Sequence, residues 1–291
     1  MKSPAGFKLY GLFGHPLGHT LSPAMHEAAF ARAGIAAHYI VLDLLPKDFK
    51  KTLRSISRSP LSGFNVTVPY KEAVMPHLTA VRPAARAIGA VNTVFRQGKR
   101  WIGTNTDMEG FLITLVRDAK FRLRGKKAVV LGAGGAARAV VYGLGREGIG
   151  SILVADCVPR KAARIVGDMR KLFRKTAFAQ SPAGSAEVRT AVLNADLVIN
   201  ATPLGLKPSD PRVIPADWVP PARAGKKCFM DLVYNPPQTP FLRDAAKKGH
   251  RTLNGLGMLL YQGARAWELW TGKKAPVEVM RESLQAALSK S

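Results

Sequence analysis

The stretch Val129 to Ala137, VVLGAGGAA, constrains this chain more than any other, because it joins a buried-strand pattern directly to a glycine turn and a helix. Ala128, Val129, Val130 and Leu131 form a short apolar run, the pattern of a parallel strand covered on both faces. Gly132, Gly134 and Ala137 then carry the GxGxxA spacing of a dinucleotide-binding turn. The first small residue permits the tight turn, the second lets backbone approach a pyrophosphate, and the third allows close helix-to-strand packing. The helix that follows, through Arg138, Val140, Val141 and Leu144, would offer its N-terminal amides and dipole to the phosphates. Glycine turns also occur for steric reasons alone, so the flanks decide. A second strand-like run, Ile152 to Ala155, ends in Asp156, near the spacing of about 20 residues expected of an acid that holds a ribose.

A chain of 291 residues is long enough for two domains. A hydrophobic share of 47% with 22% charged residues is ordinary for a globular protein. No apolar run approaches the roughly 18 residues that span a bilayer, and the start MKSPAGFKLYG lacks a signal-peptide core, so a cytoplasmic protein with no membrane partner is expected. Two isolated cysteines, Cys157 and Cys228, exclude a disulfide framework and a cysteine zinc site. The net charge of +25 raises the question of a polyanion partner. Basic residues gather at Arg117, Lys120, Arg122, Arg124, Lys126 and Lys127 and again from Arg160 to Lys175. A solvated basic face, or a field that recruits an anionic substrate and cofactor, accounts for them, and no nucleic acid is expected.

Lys8 to Phe13 reads as a first strand and runs into GHPLGHTLSP, a loop too rich in glycine and proline for regular structure. Loops at strand ends in open parallel sheets are where ligands bind. Pro23 suits the first position of a helix, with Ser22 as N-cap and Met25, Ala28, Ala29 and Ala33 as inner face. Thr20 and Ser22 thus put two hydroxyls at a helix start, for capping or for a ligand. His38 to Leu42 is a second strand and Lys47 to Ile56 a helix. In GFNVTVPYKE the alternation buries Phe64, Val66 and Val68 and points Asn65 and Thr67 the other way. Pro69 ends the strand, leaving Lys71 at its carboxyl end beside a new helix. Such a lysine is either solvated surface or part of a site with the polar pair. Asn92 sits inside an apolar strand, Ala90 to Phe95, and needs a partner. GTNTD leads into a helix from Met108, with Asp107 as its N-cap.

At these residues the chain resembles the shikimate and quinate dehydrogenase family. The matching segments are GHPLGHTLSPAMH, GFNVTVPYKE, IGAVNTV, GTNTDMEG, LGAGGAARA, NATPLG, DLVYNP and NGLGMLLYQGA, in the family's order from Gly14 to near Gln262. The resemblance implies an NAD(P)-dependent oxidoreductase that reversibly oxidises shikimate to 3-dehydroshikimate, a step of aromatic amino-acid biosynthesis. It implies Lys71 and Asp107 as the catalytic pair. That agrees with the chemistry, since a base must take the hydroxyl proton as the hydride leaves. It assigns Thr20 and Ser22 to the substrate carboxylate, and Asn65, Thr67, Asn92, Tyr234 and Gln262 to substrate hydroxyls or carboxylate. Cofactor contacts are implied for Gly132, Ala133, Gly134, Gly135, Ala136, Asp156, Arg160, Leu232 and Gly255.

The chain departs from the family pattern at two places. Thr20 stands where serine is usual, and its methyl crowds the carboxylate end, which bears on shikimate against quinate. Ala155, Asp156, Cys157 replace the Asn-Arg-Thr run of NADP-using members. An aspartate there accepts from both ribose hydroxyls of NAD and repels the 2'-phosphate of NADP, so NAD is favoured, with Arg160 close enough to pair with a phosphate.

The expected architecture is α/β with two domains and a cleft between them. A Rossmann-like, doubly wound cofactor domain (108–256) is inserted in a substrate-binding domain (1–107 and 257–291). Further strands are expected over Asp196 to Ala201 and Lys227 to Tyr234, with an irregular proline-rich excursion between them, and two amphipathic helices close the chain, the last with Pro276 at N1. Monomer and homodimer both remain open. No metal is expected, because Pro16 and Gly18 keep His15 and His19 off a common helix face. The competing readings are an NAD-dependent quinate dehydrogenase and, from another class, a catalytically silent nucleotide- or nucleic-acid-binding protein.

Overall fold

Apolar runs that end in glycine and proline loops, alternating with helical stretches, build two α/β units. The computed structural model describes residues 7–18, 20–56 and 59–290, so His19 lies outside the described residues. Unit one comprises Met1–Gly110 and Leu259–Ser291, and unit two Phe111–Met258. In chain order the elements begin β1 (Lys8–Gly14), α1 (Ser22–Arg32), β2 (Ala37–Asp43), α2 (Pro46–Ser55), β3 (Leu61–Val66), β4 (Ala80–Val81), α3 (Pro83–Ile88), β5 (Thr93–Gln97), β6 (Arg100–Thr104) and α4 (Asp107–Leu112). They continue with β7 (Lys127–Leu131), α5 (Gly135–Arg146), β8 (Ser151–Asp156), α6 (Pro159–Leu172), β9 (Ala177–Pro182), α7 (Ala186–Asn194), β10 (Leu197–Asn200), β11 (Cys228–Asp231), α8 (Pro240–Lys247) and β12 (Arg251–Leu253). The last two are α9 (Leu256–Thr271) and α10 (Val277–Leu288).

Unit one holds a mixed six-stranded sheet in the order β2-β1-β3-β5-β6-β4. Strands β2, β1 and β3 run parallel, and β5 turns antiparallel to β3 and β6. One side of its core packs Phe13, Phe49, Phe64, Tyr70 and Trp101. On the other, Trp270 of α9 stacks on Tyr10 and donates its indole N–H to the Val94 carbonyl at 2.9 Å.

Unit two is a wholly parallel sheet in the order β12-β11-β10-β7-β8-β9. The order reverses at β7, and in such sheets the crevice outside the carboxyl ends at that switch point is where ligands bind. The excursion after β10 contains only short turns of 3-10 helix, Ala216–Trp218 and Ala222–Ala224.

Several local expectations are corrected. Leu21, not Ser22, caps α1, because Leu21 already has helical backbone and draws Ser22 into the helix. The inner face of α1 is Ser22, Met25, His26, Ala29 and Phe30, with Ala28 and Ala33 only half-buried. Strand β3 stops at Val66, so Val68 turns outward and is 61% exposed. No α-helix follows Lys71; the chain makes a turn and a short 3-10 segment, Met75–His77. Strand β5 begins at Thr93 and leaves Asn92 just before it. Pro276, with ψ of 72°, caps α10 instead of starting it.

Candidate active site and dinucleotide turn

In unit one the glycine-rich loop after β1 is pinned from β2. Asp43 takes the His15 Nδ1 at 2.6 Å on one oxygen and accepts the Leu17 N–H at 3.0 Å on the other. These bonds, the His15 contact first, hold its carboxyl below the usual range. Thr20 Oγ1 accepts the Ser22 N–H at 3.3 Å, and α1 itself has no side-chain cap. Thr67, just past β3, packs its methyl 2.4 Å from where a side chain at Gly14 would stand.

The carboxyl end of β3 leads into a turn fixed by Tyr70, whose ring stacks on Phe49 at 3.8 Å. Lys71 follows, and its Nζ donates to Asp107 Oδ2 at 2.7 Å. Their side chains are 12% and 6% exposed, so the pair is largely out of water. Asp107 opens α4 but does not cap it. Asn105 Oδ1 accepts the Met108 N–H and the Thr106 carbonyl the Gly110 N–H, which frees the Asp107 carboxylate for other partners. Its Oδ1 accepts from Asn92 Nδ2 at 2.9 Å, so Lys71 Nζ and an amide each bind one oxygen and fix the plane of the carboxylate.

Asn92 is itself oriented. The Thr106 N–H donates to its Oδ1 at 2.7 Å, and Gln262 Oε1 lies 3.2 Å from its Nδ2. Asn65 Nδ2 donates to the Asn92 carbonyl and to Thr93 Oγ1, and Asn65 Oδ1 accepts from the Tyr39 hydroxyl at 2.8 Å. The structure therefore joins Asn65, Lys71, Asn92, Asp107 and Gln262 in one hydrogen-bonded network. Tyr234 belongs to unit two, half-buried in the segment after β11.

In unit two, β7 delivers the glycine turn. Gly132 has φ +105°, and a Cβ there would stand 2.9 Å from the Ala201 carbonyl carbon and oxygen, so only glycine fits. Gly134 caps α5 from an extended backbone and opens onto free space, leaving its backbone approachable by a ligand. Gly135 and Ala136 begin α5. Asp156, at the end of β8, accepts the Ala133 N–H at 2.7 Å on Oδ2 and the Val158 N–H at 2.8 Å on Oδ1. A carboxylate accepts about four hydrogen bonds, so capacity remains for ribose hydroxyls. Arg160 is exposed in the first turn of α6. A Cβ at Gly255 would come within 2.1 Å of the Leu232 carbonyl oxygen, which brings those two implied cofactor residues together. The turn, the helix start and the acid all fit a nicotinamide dinucleotide.

Sequence reasoning missed a second polar hub. The buried Asp231 accepts from Asn200 Nδ2, the Val233 N–H and the Thr239 hydroxyl, tying the loop after β10 to that after β11. Burial pushes its carboxyl up, against those bonds. A polar residue in an apolar run, as in LVIN and CFMD, is the kind of mark that singled out Asn92. Tyr39 and His26 were missed too. His26 is stacked on Tyr39 at 4.4 Å with neither ring nitrogen hydrogen-bonded, and burial pushes its imidazole down to about 3.

Both basic clusters are solvent-exposed. Among the described residues no group of three metal-ligating side chains occurs, and no helix is long and apolar enough to cross a membrane.

Comparison with known proteins agrees with this fold. Residues 12–94 match the shikimate dehydrogenase substrate binding domain and residues 255–285 the shikimate 5'-dehydrogenase C-terminal domain. A shikimate dehydrogenase (NADP(+)) of Moorella thermoacetica is 45% identical over 97% of this chain and 94% of its own. The shikimate 5-dehydrogenase of Listeria monocytogenes, solved with shikimate and NAD, superposes with a TM-score of 0.85 at 32% identity over 97% of this chain and 98% of that one. The quinate dehydrogenase of Corynebacterium glutamicum, solved with NAD, gives 0.85 at 31% identity over 96% and 99%. With 97% of its length matched at 45% identity, the chain belongs to the shikimate dehydrogenase family.

Proposed function

We propose that this protein is a shikimate dehydrogenase, with the buried Lys71–Asp107 pair as the observation that carries the reading. Unit one takes the substrate and unit two the nicotinamide cofactor. Bound cofactor supplies the hydride acceptor in one direction and the donor in the other. Lys71 Nζ, as the neutral amine, takes the proton of the reacting hydroxyl as the hydride leaves and, as the ammonium, returns it to the carbonyl oxygen in reverse. Asp107, held by Lys71 and Asn92, orients the lysine and accepts from a neighbouring substrate hydroxyl. Thr20 and Ser22 at the start of α1 face the substrate carboxylate, and Asn65, Thr67, Asn92, Tyr234 and Gln262 address the rest of the substrate.

NAD is the proposed cofactor. Asp156 is anchored by two backbone amides where the ribose would lie, so its charge cannot swing away from a 2'-phosphate. The relative from Moorella thermoacetica is named for NADP(+), which makes this preference the sharper claim. Thr20 and the likeness to the Corynebacterium quinate dehydrogenase favour quinate as second substrate.

Absorbance of reduced nicotinamide tests all of this in four assays, shikimate or quinate with NAD or NADP. Turnover of shikimate, faster with NAD, is expected. Faster quinate turnover would make the protein a quinate dehydrogenase. An NADP preference would overturn the Asp156 reading, and no turnover would favour a binding protein.

A further inference from the structure

Tyr39 lies on β2, away from every residue assigned to the reaction by sequence, yet its hydroxyl meets one of them. It donates to Asn65 Oδ1 at 2.8 Å in a buried bond. Tyr39 belongs to β2 and Asn65 to β3, so the bond links two strands that flank β1 on opposite sides.

The valence of Asn65 makes the link directional. The Asn92 carbonyl can only accept, so it and Thr93 Oγ1 take both amide hydrogens of Asn65, at 3.2 and 3.0 Å. The amide oxygen then faces Tyr39, which fills one of its lone pairs. A single acceptor position is left, so Asn65 meets a substrate hydroxyl as acceptor only. The Tyr39 ring is clamped by His26 at 4.4 Å with 14° between the planes and by Trp270 at 6.1 Å. His26, without a polar partner of its own, does not compete for the hydroxyl.

We infer that Tyr39 is a positioning residue, whose hydroxyl holds the Asn65 amide in the orientation that substrate binding requires. The inference rests on the reading of the chain as a shikimate dehydrogenase. Tyr39→Phe keeps the clamped ring and removes only the oxygen. Expected is a rise in the KM for shikimate of about tenfold, or about 1.4 kcal/mol, with kcat and the cofactor KM within about twofold of wild type. A purely structural role would lower the thermal midpoint and leave the substrate KM where it was, and that result overturns the inference.

Asn65→Leu provides a second arm, which reads the coupling between the two side chains. With leucine at 65 the tyrosine has lost its acceptor, so Tyr39→Phe in that background should leave kcat/KM unchanged, and a further fall there would overturn the coupling. Wild-type turnover is measured first. Its absence overturns the functional reading and this inference together, whereas turnover with an indifferent Tyr39→Phe overturns the inference alone.

Discussion

The polar network of unit one and the glycine turn of unit two solve the same problem with different parts of the chain. Around Lys71 the geometry is made by side chains that hold one another: Asp107 has one oxygen on Lys71 and the other on Asn92, and Asn92 is fixed by Thr106. Around Gly132 the geometry is made by backbone, with the absence of a side chain as the requirement and Asp156 stapling the turn through the Ala133 amide. The first site is defined by which chemical groups are present, the second by the path of the main chain. Substitutions should therefore separate them: chemistry lost with binding retained in one, cofactor binding lost with chemistry intact in the other.

Lys71→Ala gives the largest effect. With no group to carry the hydroxyl proton, kcat should fall by about a thousandfold, within the range for general acid–base groups, while cofactor affinity stays within about twofold. Stopped-assay turnover together with cofactor titration by fluorescence checks this, and near-normal turnover removes Lys71 from the mechanism. Gly132→Ala comes next and attacks the other side of the comparison. Its added methyl meets the Ala201 backbone from a left-handed conformation, a strain of about 1–3 kcal/mol. The cofactor KM should rise by about tenfold or more while the shikimate KM holds. Equal damage to both constants would mean the two sites are not separable in this way.

The contrast also explains what could be read before the structure. A glycine turn between apolar strands is a local pattern, so GAGGAA and Asp156 were legible from sequence. Lys71 and Asp107 were reached through resemblance, because the bond between them joins positions 36 apart in the chain and spacing alone does not reveal it. Asp107 was misread as a cap, since an acid before a helix looks the same whether it caps or not; only the Asn105 bond distinguishes the two. Strand β9 and the short β12 left no clear trace, being edge strands with one covered face or three residues. Tyr39 and Asn65, 26 positions apart, are brought together by the pairing of β2 and β3 on either side of β1, which no local pattern encodes.

Asp156→Ser sharpens the comparison inside unit two, because here a side chain acts on a site otherwise made of backbone. Removing the charge should raise the ratio of NADP to NAD kcat/KM by about tenfold, the scale of one lost charge repulsion in a partly exposed site. An unchanged ratio would assign discrimination to Arg160 and its basic surroundings.

The smallest effect comes from acid, and it falls on unit one. Burial among Tyr39, Phe30 and Trp270 pushes the His26 imidazole down to about 3, against about 6.5 in an unfolded chain. Because the folded value is the lower, the unfolded chain binds the proton more tightly. The stability tied to neutral His26 is complete above about pH 6.5 and is lost as pH falls from there toward 3, by at most about 1.4 kcal/mol per pH unit. Urea midpoints at pH 7.5 and 5.5 would show it, compared with His26→Leu, which has no proton to take up. Carboxylates titrate in both proteins and cancel in the difference, so a steeper loss in the wild type isolates His26. Identical slopes would mean that the imidazole finds a partner when protonated, and that the aromatic clamp on Tyr39 yields where the inference about Tyr39 needs it rigid.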